Sequence, residues 1–152
     1  MHFSVDLFQS VAATFSSLGF RVEIFHDETC ERILTLLKTL QDSREDLSCL
    51  ALFILTHGED NGTLYASDAP YRLDRHIISE LTSARCPALA GKPKLVFVQA
   101  CQGKTGDPGA QVKVRTRHTS YDGAAYRIPH YADILVFQAA YHGHYSFRLD
   151  VS

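Results

Sequence analysis

KPKLVFVQACQGKTGD, residues 92–107, carries the apolar run LVFV into a cysteine and then into Gly-Lys-Thr. Two readings compete: a buried strand feeding a phosphate-binding loop, or a buried strand presenting a nucleophilic thiol. A phosphate loop needs a glycine at its head, so that successive backbone N–H groups can curl around the phosphates. Here that position falls on Val98, inside the apolar run. The loop cannot close without the glycine, so Gly103-Lys104-Thr105 is read as coincidence and a nucleotide-binding module is excluded. The thiol reading then needs support from the rest of the chain.

Outward from this stretch, helical and strand patterns alternate. At the start, MHFSVDLFQSVAATFSSLGF has no basic opening, and Asp6 and Gln9 interrupt its apolar run, so it does not read as a signal peptide. Phe8, Val11, Ala12, Phe15 and Leu18 instead fall at helical spacing, which predicts an amphipathic core helix ending at Gly19. FRVEIFHD (20–27) alternates like a strand. ETCERILTLLKTL (28–40) predicts a helix with Ile33, Leu36, Leu37 and Leu40 on one face. CLALFILT (49–56) is a continuous apolar run, as expected of a strand covered on both faces. NGTLYASDAPYRLD carries turn signals consistent with a small hairpin. RHIISELTSA (75–84) predicts a further helix, LVFVQ (95–99) a strand, and ADILVFQAA (132–140) another. Such alternation implies an α/β fold, a mainly parallel sheet with helices on both faces. Residues 102–127 show no apolar period, and a loop of that length inside a compact domain is usually functional or disordered.

Composition bounds the function. At 152 residues the chain has the size of one domain, and with 45% hydrophobic residues it can bury a real core. A net charge of -2 gives no general reason to expect nucleic acid or an anionic membrane as partner. No stretch is long and apolar enough to span a bilayer. The four cysteines, Cys30, Cys49, Cys86 and Cys101, are widely spaced without a CxxC pair. That argues against a disulfide scaffold or a structural zinc site, and a reducing, cytoplasmic setting fits best. His142 and His144 lack a third ligand at metal spacing and read as a polar loop. Lys113, Arg115 and Arg117 read as a solvated loop. No metal or cofactor is expected.

Two apolar strands end in reactive groups: CLALFILT runs into His57-Gly58, and LVFVQA into Cys101. Parallel strands bring their C-terminal ends to one edge of the sheet, where α/β folds place their sites. A thiolate is the nucleophile, and a nearby imidazole raises its population or relays its proton. Taken singly, a cysteine after a strand is more often a small core residue, and a histidine before glycine a turn residue. Their joint placement at two strand ends brings the catalytic-pair reading level with the structural one.

At this point a family resemblance enters. QACQG (99–103) resembles the caspase signature, which has its histidine about fifty residues upstream. LTHGEDNGTLYASD resembles the histidine loop of that family, GKPKLVFVQACQG its cysteine strand, and IPHYADILVFQAAYHGHYSFR the start of its small subunit. Gln99 before Ala-Cys favours caspases over metacaspases and legumain-like relatives. The resemblance implies a caspase-like three-layer sandwich divided into a large-subunit core (1–101), an intersubunit linker (102–127) and the start of a small subunit (128–152). It implies a cysteine endopeptidase cutting after aspartate, in apoptosis or related signalling. Cys101 would attack the scissile carbonyl, His57 would move protons, and the N–H groups of Gly58 and Cys101 would form an oxyanion hole. Gln99 and Arg148 would hold the substrate aspartate, with Tyr145, Ser146 and Phe147 lining the adjoining subsite. Within the linker, Asp107 precedes Pro108, a poor leaving context, whereas Asp122 precedes Gly123, so Asp122 is the expected processing site. Expected partners are proteins with exposed aspartate-containing loops, and another caspase chain.

This sequence also departs from the pattern. The second pocket arginine of the family would fall near Met1 and is absent, with the strand that should precede it. Thr56 stands where the family has serine, and Ala139-Ala140 where it has Ser-Thr. The segment after YSFR stops at Ser152. An alternative expectation is therefore a catalytically inactive or incomplete caspase-like regulator that modulates a partner caspase.

Overall fold

The computed structural model describes residues 3–100 and 131–139. Helix α1 spans Phe3–Ser17 and ends as the sequence predicts, at Gly19. Gly19 takes a φ of +86°, which glycine adopts without the steric cost a Cβ would bring. The N–H of Phe20 donates to the carbonyl of Phe15 (3.0 Å), and that of Gly19 to Ser16 (3.0 Å). This pair of bonds is a Schellman cap, and the rings of Phe15 and Phe20 complete it at 5.1 Å. Phe8, Val11, Ala12 and Phe15 are half-buried, whereas Leu18 is 65% exposed. Leu18 is the cap residue itself, so the helical spacing that put it on the inner face no longer applies there.

Helix α2 spans Cys30–Gln41 and starts at Thr29, whose hydroxyl accepts from the N–H of Arg32 (3.2 Å). The Cys30 N–H donates to the Asp68 carboxylate (2.8 Å), which ties the helix start to the turn at residues 66–69. Leu37 is buried, and Ile33 and Leu40 pack beside it on the expected face.

The main sheet has three parallel strands in the order β1 (Leu50–Leu55), β5 (Lys94–Gln99) and β6 (Ile134–Gln138). A smaller antiparallel sheet joins β2 (Gly58–Glu59), β3 (Thr63–Tyr65) and β4 (Pro70–Arg72), which realises the hairpin read from the turn residues. One face of the main sheet carries Leu50, Leu52, Ile54, Val96, Val98, Ile134 and Val136, and packs with Leu37, Ile77 and Leu81. The other face carries Phe53, Phe97 and Phe137. These are register partners across three strands, with rings stacked at 4.5 and 4.8 Å. Phe15 of α1 meets Phe53 edge-on at 4.8 Å. Helices therefore cover both faces.

Two sequence expectations are corrected. Residues 20–27 do not form a strand: among the described residues they share no ladder bond with β1, which pairs only with β5. They are tied at their ends instead, by the Arg21–Glu45 ion pair (2.9 Å) and by the Ser67 N–H donating to Glu28 (3.0 Å). Alternation marks a chain that can pleat, but a strand also needs a neighbour to bond. Residues 75–84 do not form one α-helix. A wide π turn over Leu73–Ile77 passes directly into a tight 3-10 turn over Ile78–Leu81. Polar side chains compete for the backbone here: His76 Nδ1 accepts from the Arg72 N–H (2.7 Å), Ser79 donates to the Arg75 carbonyl, and Thr82 to the Ser79 carbonyl (2.9 Å).

At the N-terminal end of the sheet, Lys94 is fully buried. Its ammonium donates to the carbonyls of Leu89 (2.8 Å) and Lys92 (2.9 Å), which makes the burial tolerable.

Candidate active site

The site is built at the C-terminal edge of the main sheet. β1 and β5 run in register from Leu50 opposite Lys94 to Leu55 opposite Gln99. Both strands are apolar and parallel, so both deliver the residues that follow them to the same edge. Thr56 and His57 follow β1, and Ala100 follows β5. His57 is exposed, Gly58 half-buried at the start of β2, and Gln99 half-buried at the end of β5. The structure thus brings three of the expected residues, His57, Gly58 and Gln99, to one edge. Cys101, Asp122, Tyr145, Ser146, Phe147 and Arg148 lie outside the described residues, as do the linker 102–127 and His142 and His144.

The backbone around His57 is held from two sides. The Thr56 N–H donates to the Gln99 carbonyl (3.1 Å), extending the β1–β5 ladder one residue past the strand. The Thr56 hydroxyl donates to the Tyr65 carbonyl (2.6 Å), and the Tyr65 N–H donates to the His57 carbonyl (3.0 Å). Tyr65 also reaches Glu59 with its phenol. That hydrogen bond, followed by partial burial, pushes the phenol above its ordinary range, because ionising it would set two anions side by side. The imidazole of His57 has no hydrogen-bond partner among the described residues.

Beside Gln99, on the α1 side of the sheet, lies an open apolar cavity of about 270 Å³. It is lined by Val11 of α1, Phe53 and Leu55 of β1, Phe97 and Gln99 of β5, and Phe137 of β6. The sequence pattern does not single out Tyr65 or Glu59, and it marks Thr56 only as standing where the family has serine. The available signal was local: a hydroxyl residue ending an otherwise apolar strand, just ahead of the reactive histidine.

Among the described residues, no three His, Cys, Asp or Glu side chains converge as metal ligands, and no helix is long and apolar enough to cross a membrane.

Comparison with known proteins agrees with the architecture. Residues 8–152 match the caspase domain family. Caspase-7 of Gallus gallus is 36% identical over 142 residues, covering 91% of this chain and 45% of its own length. Caspase drICE of Drosophila melanogaster is 37% identical over 159 residues, covering 97% of this chain and 46% of its own. The crystal structure of Caspase-1 from Spodoptera frugiperda superposes with a TM-score of 0.78 at 34% identity, covering 93% of this chain and 52% of that one. The chain spans about half the length of these relatives. With an in-register parallel pair that leads into Thr56-His57-Gly58 from one strand and Ala100 from the other, and a family match over residues 8–152, it belongs to the caspase-domain family.

Proposed function

We propose that the chain carries the catalytic dyad of a cysteine endopeptidase that cuts after aspartate. The observation that supports this most directly is the register. Leu55 stands opposite Gln99, and in sequence His57 and Cys101 each follow two residues later. In the proposed reaction the Cys101 thiolate attacks the scissile carbonyl carbon and forms the acyl-enzyme. His57 takes the thiol proton and hands it to the leaving amine, then draws a proton from the water that releases the acid. The backbone N–H groups of Gly58 and Cys101 stabilise the oxyanion. Gln99 and Arg148 hold the aspartate carboxylate, because a buried anion needs charge-assisted partners, and Tyr145, Ser146 and Phe147 line the neighbouring subsite. Residues 1–101, 102–127 and 128–152 serve as large-subunit core, linker and start of the small subunit, with a maturation cut after Asp122. The substrates are cytoplasmic proteins with exposed aspartate-containing loops, in apoptosis or related signalling.

The test is covalent labelling of the chain with a peptidyl-aspartate electrophile, read by mass spectrometry. The expected adduct sits on Cys101, disappears in Cys101→Ala and His57→Ala, and does not form with a peptidyl-asparagine probe. A folded chain that takes no label removes the protease reading for this chain and leaves the regulatory one, in which it acts on a partner caspase without turnover.

A further inference from the structure

His57 is asked to shuttle a proton, yet its imidazole has no orienting partner among the described residues. In most nucleophile–base pairs a third group fixes the base. Among the described residues the ring is held only through its own backbone, and that backbone is fixed at three points. Two are main-chain bonds, Thr56 N–H to the Gln99 carbonyl (3.1 Å) and Tyr65 N–H to the His57 carbonyl (3.0 Å). The third is made by a side chain, the Thr56 hydroxyl to the Tyr65 carbonyl at 2.6 Å. The three bonds join the last turn of β1 to β5 on one side and to β3 on the other. β3 is braced in turn by the Tyr65 phenol on Glu59.

We infer that Thr56 is a positioning residue, whose hydroxyl sets the reach of the His57 ring toward the thiol by closing β1 onto β3. The inference rests on the reading of His57 as the proton-transfer group. Two features of threonine suit the task. Its β-branch restricts χ1, so the hydroxyl stays aimed at the Tyr65 carbonyl. The bond also gives that exposed carbonyl a fixed partner in place of water, and losing it would free the histidine turn to widen. A change of a fraction of an ångström at the backbone is amplified along the side chain, and proton transfer is sensitive to misplacement of that size.

The experiment compares Thr56→Val, which keeps the shape and removes the hydroxyl, with Thr56→Ser, which keeps the hydroxyl. The first readout is the rate of Cys101 labelling by the peptidyl-aspartate electrophile, as a function of probe concentration and pH. Thr56→Val is expected to lower the saturated rate about tenfold, the worth of one net hydrogen bond, with the half-saturating probe concentration unchanged. Thr56→Ser is expected to stay within about threefold of the parent, the residual loss reflecting its freer rotamer. The second readout is the histidine ring spectrum by NMR in a Cys101→Ala background. There Thr56→Val should move the His57 resonances and leave those of the exposed His26 in place. Circular dichroism establishes that each variant is folded. The inference is overturned if Thr56→Val labels at the parental saturated rate, or if Thr56→Ser loses as much as Thr56→Val. If the folded parent takes no label, the protease reading falls by itself and the spectrum decides the clamp: unmoved His57 resonances in Thr56→Val refute it.

Discussion

The two faces of the main sheet are made by the same three strands and have opposite fates. On one, Leu50, Leu52, Ile54, Val96 and Val98 meet α2 and the π/3-10 turn, and Val96 is fully buried. On the other, the Phe53–Phe97–Phe137 stack meets α1, whose Phe15 lies 4.8 Å from Phe53 and 6.4 Å from Phe97. Coverage fades toward β6, where Leu135 is 50% and Phe137 46% exposed. The closed aliphatic face holds the fold together. The open aromatic face holds the cavity beside Gln99, and it contributes through ring stacking more than through exclusion of water.

That contrast can be broken by measurement. The largest effect is expected at Leu37, the buried residue of α2 over the closed face. Leu37→Ala should cost about 3 kcal/mol in urea denaturation, the transfer loss plus the cavity left behind, and a cost below about 1 kcal/mol would show that α2 does not close that face. Next comes Tyr71, in the same core and 4% exposed. Burial, with the nearby Cys30 adding to it, pushes its phenol up to about 12 from 10.0. The folded state therefore resists ionisation more than the unfolded chain does. This contribution is whole below about pH 10 and is lost as pH rises toward about 12, roughly 2–3 kcal/mol in all. Ultraviolet titration should find a late tyrosinate that is missing in Tyr71→Phe, and the same substitution should flatten the alkaline limb of the stability curve. A phenol at position 71 that titrates with the exposed tyrosines would mean the closed face is wet.

On the open face the effects are smaller. A double-mutant cycle of Phe97→Leu and Phe137→Leu should return a coupling of about 1 kcal/mol from the stacked pair. Coupling near zero would leave the register alone responsible for the stacking geometry. Leu135→Ala should change stability by less than about 0.5 kcal/mol, as for an exposed surface position. A larger loss would mean that this residue is covered in solution.

The parallel sheet was legible because continuous apolar runs leave few alternatives. LALFIL and KLVFVQ each form the strand their composition demands. α1 and α2 were legible from spacing and from their stop and start residues, Gly19 and Thr29. What failed was decided by partners rather than by pattern. FRVEIFHD alternates, but pairing is a property of two segments. RHIISELTSA has helical spacing, but His76, Ser79 and Thr82 spend their hydrogen bonds on backbone groups of the preceding turns. At the site, the placement of His57, Gly58 and Gln99 at one sheet edge could be read from the chain, because strand ends carry whatever follows an apolar run to that edge. The Thr56–Tyr65 clamp could not, because it joins two residues through a main-chain carbonyl that no side-chain pattern encodes.

The β5–β6 ladder has a consequence for a cut chain. β5 ends at Gln99 and β6 begins at Ile134, so one covalent segment joins them while the ladder and the Phe97–Phe137 stack hold them side by side. With that segment intact, β6 docks at the effective concentration of a tethered partner, which is millimolar for short flexible connections and falls as the connection lengthens. Any cleavage between the two strands turns docking into a bimolecular association. Retention of β6 then becomes a matter of dissociation rate and dilution. The same strand pair that is a fold element in the uncut chain becomes a subunit interface once the chain is cut.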